Sequence, residues 1–426
     1  MTTATHGGLP PVRAVLANGV VVVAKESPPT PAVTVHASFG AGTVFDPPNQ
    51  AGLSHFVSRT IDRGTATRPA DRIAEDLDGR GVSLSIGVNR HTLSLVCTCL
   101  VEDLVPILDL LADIAMYPAF SKDEIDIRRG EIVTLIRQDE DDPAALAAEG
   151  VLTDLYGAAH PYGRRPRGSV ESVETIDSAA LRRFHAERFG PGSLSLVLVG
   201  DVEPARAIEA AGAAFGRWMA AKPPRLELPE VAPASRRRVR AIPMMNKAQA
   251  DIAYGFTSVR RSDPDYYAYW LMNNILGQYA IGGRLGDSIR EHQGMAYYVF
   301  SALDANVIPG PLTIRAGVSP ANVDRAIASI DEELRKLVAE GPTESEVTES
   351  KQYLIGSMPR TLETNLGIAT FLQTEEFFGL GLDYDLRVAD LLRAVTREDV
   401  CAAARRTLVP SHATVVIAGP YSGEAR

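Results

Sequence analysis

Residues 193–204 read SLSLVLVGDVEP, and residues 412–422 read HATVVIAGPYS. Each is an apolar run of the length of a buried strand. Each ends on a glycine, Gly200 before Asp201 and Gly419 before Pro420. Each follows a segment of helical spacing that turns basic near its end: LRRFHAERFGP at 181–191 and CAAARRTLVP at 401–410. A second pair lies upstream, where AFSKDEIDIRRGEIVTLIR (119–137) parallels PTESEVTESKQYLIGSMPR (342–360). Ser121 stands three residues before Glu124, and Thr343 three before Glu346. That spacing marks a helix start in which side chain and backbone cap each other. The chain therefore carries an internal duplication.

The segments around these pairs define the fold class. VVVVAKES (20–27), AVTVHASFG (32–40), TLSLVCTCL (92–100) and AYYVFSAL (296–303) read as strands. VEDLVPILDLLADIA (101–115) and ANVDRAIASIDEELRKLV (321–338) have the apolar spacing of amphipathic helices. Strand runs joined by turns imply antiparallel pairing, with helices packed on one face of each sheet. The expectation is an α+β protein of two homologous domains. Residues 219–238, MAAKPPRLELPEVAPASRRR, are rich in proline and charge and lack a period, as a linker does. This divides the chain into 1–218, the linker 219–238, and 239–426.

Composition excludes several classes. With 426 residues, 45% of them hydrophobic, the chain is too large for one ordinary domain and too apolar for disorder. Asp and Glu exceed Lys and Arg by 53 to 43, a net charge of −10, so a nucleic-acid partner is not expected. No run of about 20 apolar residues is present, so no membrane span is expected. The N-terminal sequence lacks a basic stretch followed by an apolar one, so no signal peptide is expected. Cys97, Cys99 and Cys401 form no Cys-x-x-Cys motif and are too few for a disulfide framework. Cys97 and Cys99 should share one face of a strand. A reducing, cytoplasmic setting is expected.

Residues 52–65 read GLSHFVSRTIDRGT. On a helix, positions 55, 58 and 59 share a face. This phrase resembles the inverted zinc motif H-x-x-E-H of the pitrilysin (insulinase) metallopeptidases, in the frame G-L-x-H-F-L-E-H-x-x-x-x-G-T. Gly52, Leu53, His55, Phe56, Gly64 and Thr65 fit the frame, but Ser58 replaces the glutamate and Arg59 the second histidine. The resemblance implies a third ligand on a later helix, in a phrase ending D-x-P. Here LIRQDEDDP (135–143) keeps Asp141 and Pro143 and puts Leu135 at the ligand position. Arginine has no lone pair to give, and serine is no base at neutral pH. Glu131, the nearest carboxylate on that helix, is one turn away, about 6 Å along the axis. With His55 it would make only two ligands. His55 then reads as a packed helix histidine, and no stoichiometric zinc is expected in this chain.

Residues 280–301 read AIGGRLGDSIREHQGMAYYVFS. The segment Arg284–Gln293 has helical period, Gly294 is a helix stop, and a strand follows. The phrase is similar to one in the second half of the same family, G-G-x-x-S-R-L-x-x-x-L-R-E-x-x-G-L-A-Y-x-V. The resemblance assigns Arg290 and Tyr297 to substrate binding at the zinc site. Guanidinium and phenol are both hydrogen-bond donors, suited to an oxygen that gains negative charge. The plainer alternatives are a solvated helix end for Arg290, beside Glu291, and sheet packing for Tyr297.

The zinc ligands and the Arg/Tyr pair fall in different halves. The resemblance thus implies a non-zinc subunit of the two-chain bacterial or mitochondrial-processing-peptidase-like type. It would be inactive alone. Its partner would be a homologous chain with an intact H-x-x-E-H and its own zinc, the substrates unfolded peptides. The alternatives are a structural or peptide-binding subunit and an inactive homodimer. His36 and His91 are expected on strands, His185 on a helix as packing, and His160 in a turn before Pro161. GQYAIGGRL lacks the ending of a phosphate loop, and no G-x-S-x-G is present.

Overall fold

The computed structural model describes residues 8–28, 30–220, 223, 227–278 and 283–423. Linker positions 221–222 and 224–226, and positions 280–282 of the second phrase, lie outside them. The first half of the chain gives β1 (Val12–Val15), β2 (Val21–Glu26), β3 (Ala32–Phe39), α1 (Leu53–Thr60), α2 (Ala70–Asp78), β4 (Ser85–Val88) and β5 (Leu93–Leu100). It continues with α3 (Leu104–Met116), α4 (Lys122–Glu140), α5 (Pro143–Tyr156), α6 (Val170–Glu174), α7 (Ser178–Arg188), β6 (Leu194–Gly200) and α8 (Pro204–Phe215). The second half gives β7 (Arg238–Pro243), β8 (Ala250–Thr257), α9 (Tyr266–Gly277), β9 (Ala296–Leu303) and β10 (Pro311–Val318). It ends with α10 (Val323–Glu340), α11 (Glu344–Thr361), α12 (Asn365–Phe378), α13 (Tyr384–Ala394), α14 (Arg397–Thr407) and β11 (Thr414–Gly419). The two halves are homologous α+β arrangements, as the duplication requires.

Two compact units form, and neither is one continuous stretch. One comprises Met1–Ile136, Arg165–Glu227 and Met358–Leu386; the other Arg137–Arg164, Leu228–Ser357 and Arg387–Arg426. The division thus departs from a single cut at the linker. Helix α5, from the first half, packs on β8, β11 and β10 of the second unit. Helix α12, from the second half, packs on β6 and β3 of the first. An amphipathic helix must bury its apolar stripe, but its spacing does not say on which sheet.

In the first unit a six-stranded sheet runs β1-β2-β6-β3-β5-β4. Only β2 and β6 pair in parallel. Val33, Val35, Ala37 and Phe39 of β3, with Leu93, Leu95, Cys97 and Cys99 of β5, face the main core. Leu53, Phe56 and Val57 of α1 and Ile132 of α4 pack into the same core. Cys97 and Cys99 do share that face, and burial pushes their thiols up, to about 12 and about 11. On the opposite face Val23, Val197 and Val199 meet Ile368, Ala369 and Leu372 of α12.

The second unit has a five-stranded sheet, β7-β11-β8-β10-β9, with β7 and β11 parallel. Strand β9 is an edge strand. The expected box at the start of α11 forms: Thr343 N donates to Glu346 Oε2 at 2.7 Å, and Glu346 N to Thr343 Oγ1 at 3.1 Å. At α5, Asp142 caps the first turn by accepting from Ala144 N at 2.9 Å, with Pro143 at the first helical position.

Candidate functional site

Helix α1 opens the first constellation. The buried Asp46 carboxylate accepts from Gly52 N (2.9 Å) and Ser54 N (2.8 Å), satisfying amides that a helix start leaves open. Phe56 and Val57 are fully buried and fix the rotation of the helix. His55 is half-buried on another face, and Ser58 is buried. The Ser58 hydroxyl donates to His55 O at 2.7 Å, within its own helix. Arg59 Nη2 donates to Glu131 Oε2 of α4 at 3.2 Å. Arg128 holds the other Glu131 oxygen. Burial pushes the Glu131 carboxyl up, but hydrogen bonds from Arg128 and Arg59 outweigh it and hold it below the usual range. Asp62 is raised by burial, against the pull of Arg63, Arg128 and Arg59.

These residues do not fit a zinc ion. The second-histidine position carries a fixed cation, and the nearest carboxylate is tied to that cation and to a second one. Leu135, half-buried one turn further along α4, offers no donor atom. Among the described residues, no three His, Cys, Asp or Glu side chains gather as a metal site. A dication would have to displace Arg59 from Glu131 and would gain only a weak donor set.

The second constellation lies in the second unit. The segment around Arg290 differs from the regular helix expected over Arg284–Gln293: Gly286–His292 is π-helical. It ends where Gly294 takes φ +60°, and Gly294 N and Met295 N donate to the carbonyls of Arg290 (3.0 Å) and Ile289 (3.1 Å). Its base is pinned by Arg284, which donates to both Glu346 oxygens at 2.6 and 2.8 Å and to Gly341 O at 3.0 Å. The side chain of Arg290 is 36% exposed, with Nε 3.6 Å from the Glu291 carboxylate.

Tyr297 sits in a β-bulge. Tyr298 pairs with Gly317 and Ala296 with Val318, so Tyr297 is the extra residue of β9 and faces no residue of β10. Strict alternation would place it beside the buried Val299 and Ser301. Instead it is 67% exposed. Bulges on edge strands re-aim side chains in this way. The structure thus puts Arg290 and Tyr297 on adjoining elements, joined through Gly294. Neither the π-helical segment nor the bulge is legible in the sequence. The glycine stop is the one local signal the sequence gives.

Four further histidines singled out in the sequence take these places. His36 lies on β3 as expected, whereas His91 lies in the turn before β5 rather than on a strand. His185 Nε2 donates to Ala115 O at 2.7 Å and its ring stacks on Phe189, which is packing. His160 Nδ1 accepts from Tyr162 N at 3.0 Å in a turn, as its place before Pro161 suggests.

Comparison with known proteins identifies the fold family. Residues 21–163 match the family model described as "Insulinase (Peptidase family M16)", and residues 175–354 the one described as "Peptidase M16 inactive domain". An uncharacterized zinc protease of Mycobacterium leprae is 27% identical over 424 residues, covering 97% of this chain and 92% of its own. A non-peptidase homolog of Helicobacter pylori is 20% identical, with 89% and 87% covered. The crystal structure of a peptidase M16 inactive domain from Pseudomonas fluorescens superposes with a TM-score of 0.90 at 24% identity, covering 98% and 99%. The frame around His55 without its ligands, and the phrase around Arg290 and Tyr297, thus lie in a chain with the insulinase-type (M16) metallopeptidase fold and a second half of the inactive-domain type.

Proposed function

We propose that this chain is the non-zinc subunit of a heterodimeric metallopeptidase. Arg290 and Tyr297 bind an unfolded peptide at the zinc site of a homologous partner chain with an intact H-x-x-E-H. The guanidinium and the phenol O–H donate to the scissile carbonyl oxygen and stabilise the charge that develops there. The observation that carries this reading is the asymmetry between the two constellations. In one, Arg59 ties up Glu131 where a metal would need donors. In the other, a bulge on an edge strand turns Tyr297 out to 67% exposure. We assign the chain to the cytoplasm, a setting supported by its three buried free thiols.

The test is turnover of an unfolded peptide by the co-expressed pair. Arg290→Ala and Tyr297→Phe should each lower kcat by about 10²–10³-fold, the range for loss of one donor to an oxyanion. Assembly, read by sizing, should not change. Unchanged turnover would overturn the assignment. One observation favours a second reading, a subunit that holds peptides without cleaving them: a relative bears the description non-peptidase homolog. On that reading no mixture of chains hydrolyses peptide.

A further inference from the structure

The residue after Tyr297 is braced by contacts that cross three strands. Asp251 of β8 lies opposite Gly317 of β10, and Gly317 lies opposite Tyr298 of β9. Gly317 has no side chain, and the Tyr298 ring lies over it: a Cβ there would come within 2.6 Å of the ring carbon Cε1. The Tyr298 hydroxyl passes this gap and donates to Asp251 Oδ1. Asp251 is 3% exposed. Gln249 Nε2 donates to both its oxygens, at 3.3 and 3.1 Å. Burial raises the Asp251 carboxyl above the usual range, and the bonds from Tyr298 and Gln249 oppose that. Along β9, Phe300 packs on Tyr298 with ring centroids 5.8 Å apart. Arg315 lies 5.9 Å from the Phe300 ring and donates to Ala144 O of α5 at 2.9 Å.

A buried carboxylate is a costly way to hold a strand, and apolar packing would do so at less expense. What the polar pair adds is register. A bulge is a one-residue slip, and every side chain beyond a slip changes face. The register shift falls between Gly317 and Val318, at the braced position itself. Only in this register does the Tyr298 hydroxyl reach Asp251 across a residue without a side chain. Any other register leaves Asp251 buried with one donor fewer.

We propose that Tyr298, through its hydrogen bond to Asp251 across Gly317, is a positioning residue that locks the β9 bulge and so holds Tyr297 outward toward peptide. This rests on the reading of Tyr297 as a peptide contact.

The test is binding of fluorescein-labelled β-casein, an unfolded protein, to this chain co-expressed with the homologous zinc-site chain, with the metal removed by chelation so that nothing is cleaved, read by anisotropy. Tyr297→Ala should raise Kd about tenfold, and Tyr298→Phe about fivefold, the scale of lost hydrogen bonds to charged or polar groups. In the Tyr297→Ala background, Tyr298→Phe should add less than about twofold, because the two act as one unit. Asp251→Asn keeps an acceptor and should leave binding near that of the parent, whereas Asp251→Leu should weaken it as Tyr298→Phe does. Amide exchange at 296–298 should quicken in Tyr298→Phe. Gln249→Ala is the gentler variant if Tyr298→Phe folds poorly, and should show the same coupling to Tyr297 at a smaller factor. A role in stability alone would give losses that add in both backgrounds, and that would overturn the proposal. So would unchanged Kd in Tyr298→Phe beside a weakened Tyr297→Ala, which leaves the Tyr297 reading standing. Unchanged Kd in Tyr297→Ala itself would remove both.

Discussion

At the scale of single residues, Arg59 decides the chemistry of the first constellation. Its identity was plain in the sequence, and so was its effect on a metal site. The capture of Glu131 by Arg59 and Arg128 needed the structure, because it depends on how α4 lies against α1. The consequence for zinc is graded. The double substitution S58E/R59H supplies a base and one ligand but leaves Leu135, so it should bind zinc weakly and lose it on dialysis. Adding L135E completes a three-ligand set with His55 and should hold close to one zinc per chain by metal analysis. Tight zinc in the double variant would show that a carboxylate such as Glu131 can serve after all. His36 gives a prediction of another kind. Its Nδ1 is buried without a partner among the described residues, and burial pushes the imidazole down to about 4. It is therefore neutral in the fold, and the unfolded chain takes up the proton first. Stability from this group is intact above about pH 6.5 and is lost as pH falls toward 4, by on the order of 3 kcal/mol. Urea titrations should show the parent losing more stability than His36→Leu over that window. Parallel losses would contradict the assignment.

At the scale of elements, the strands and helices read from sequence largely appear where expected. AYYVFSAL becomes β9, and the Thr343/Glu346 spacing becomes a formed cap. What sequence did not show was irregularity and partner choice. The π-helical segment and the bulge at Tyr297 are one-residue departures from regular period, and local propensity does not distinguish them from regular neighbours. The exchange of α5 and α12 between halves is hidden for a related reason, since an apolar stripe fits either homologous sheet. The mark of the α5 exchange is Gly255. A Cβ there would meet Val151 and Leu155 of α5 at 2.8 and 2.9 Å. Gly255→Val should cost about 1–3 kcal/mol through overpacking. It should speed amide exchange across 143–156 while leaving α12 protected. An unchanged Tm with unchanged exchange would mean that α5 does not depend on this contact.

At the scale of the whole molecule, duplication has produced two homologous halves with unequal chemistry. The half with the His55 frame carries Ser58, Arg59 and Leu135, and with them no metal-donor set among the described residues. The half with the Arg290 phrase carries Arg290 in a pinned π-helical segment and Tyr297 in the bulge of an edge strand, the pair we propose as donors to peptide. The most direct measurement of the proposed division of labour is hydrolysis of an unfolded peptide by three samples: this chain alone, a homologous chain with an intact H-x-x-E-H alone, and the two co-expressed. Hydrolysis is expected from the co-expressed pair only, with the zinc carried by the partner. Hydrolysis by this chain alone, together with one tightly held zinc, would contradict that expectation.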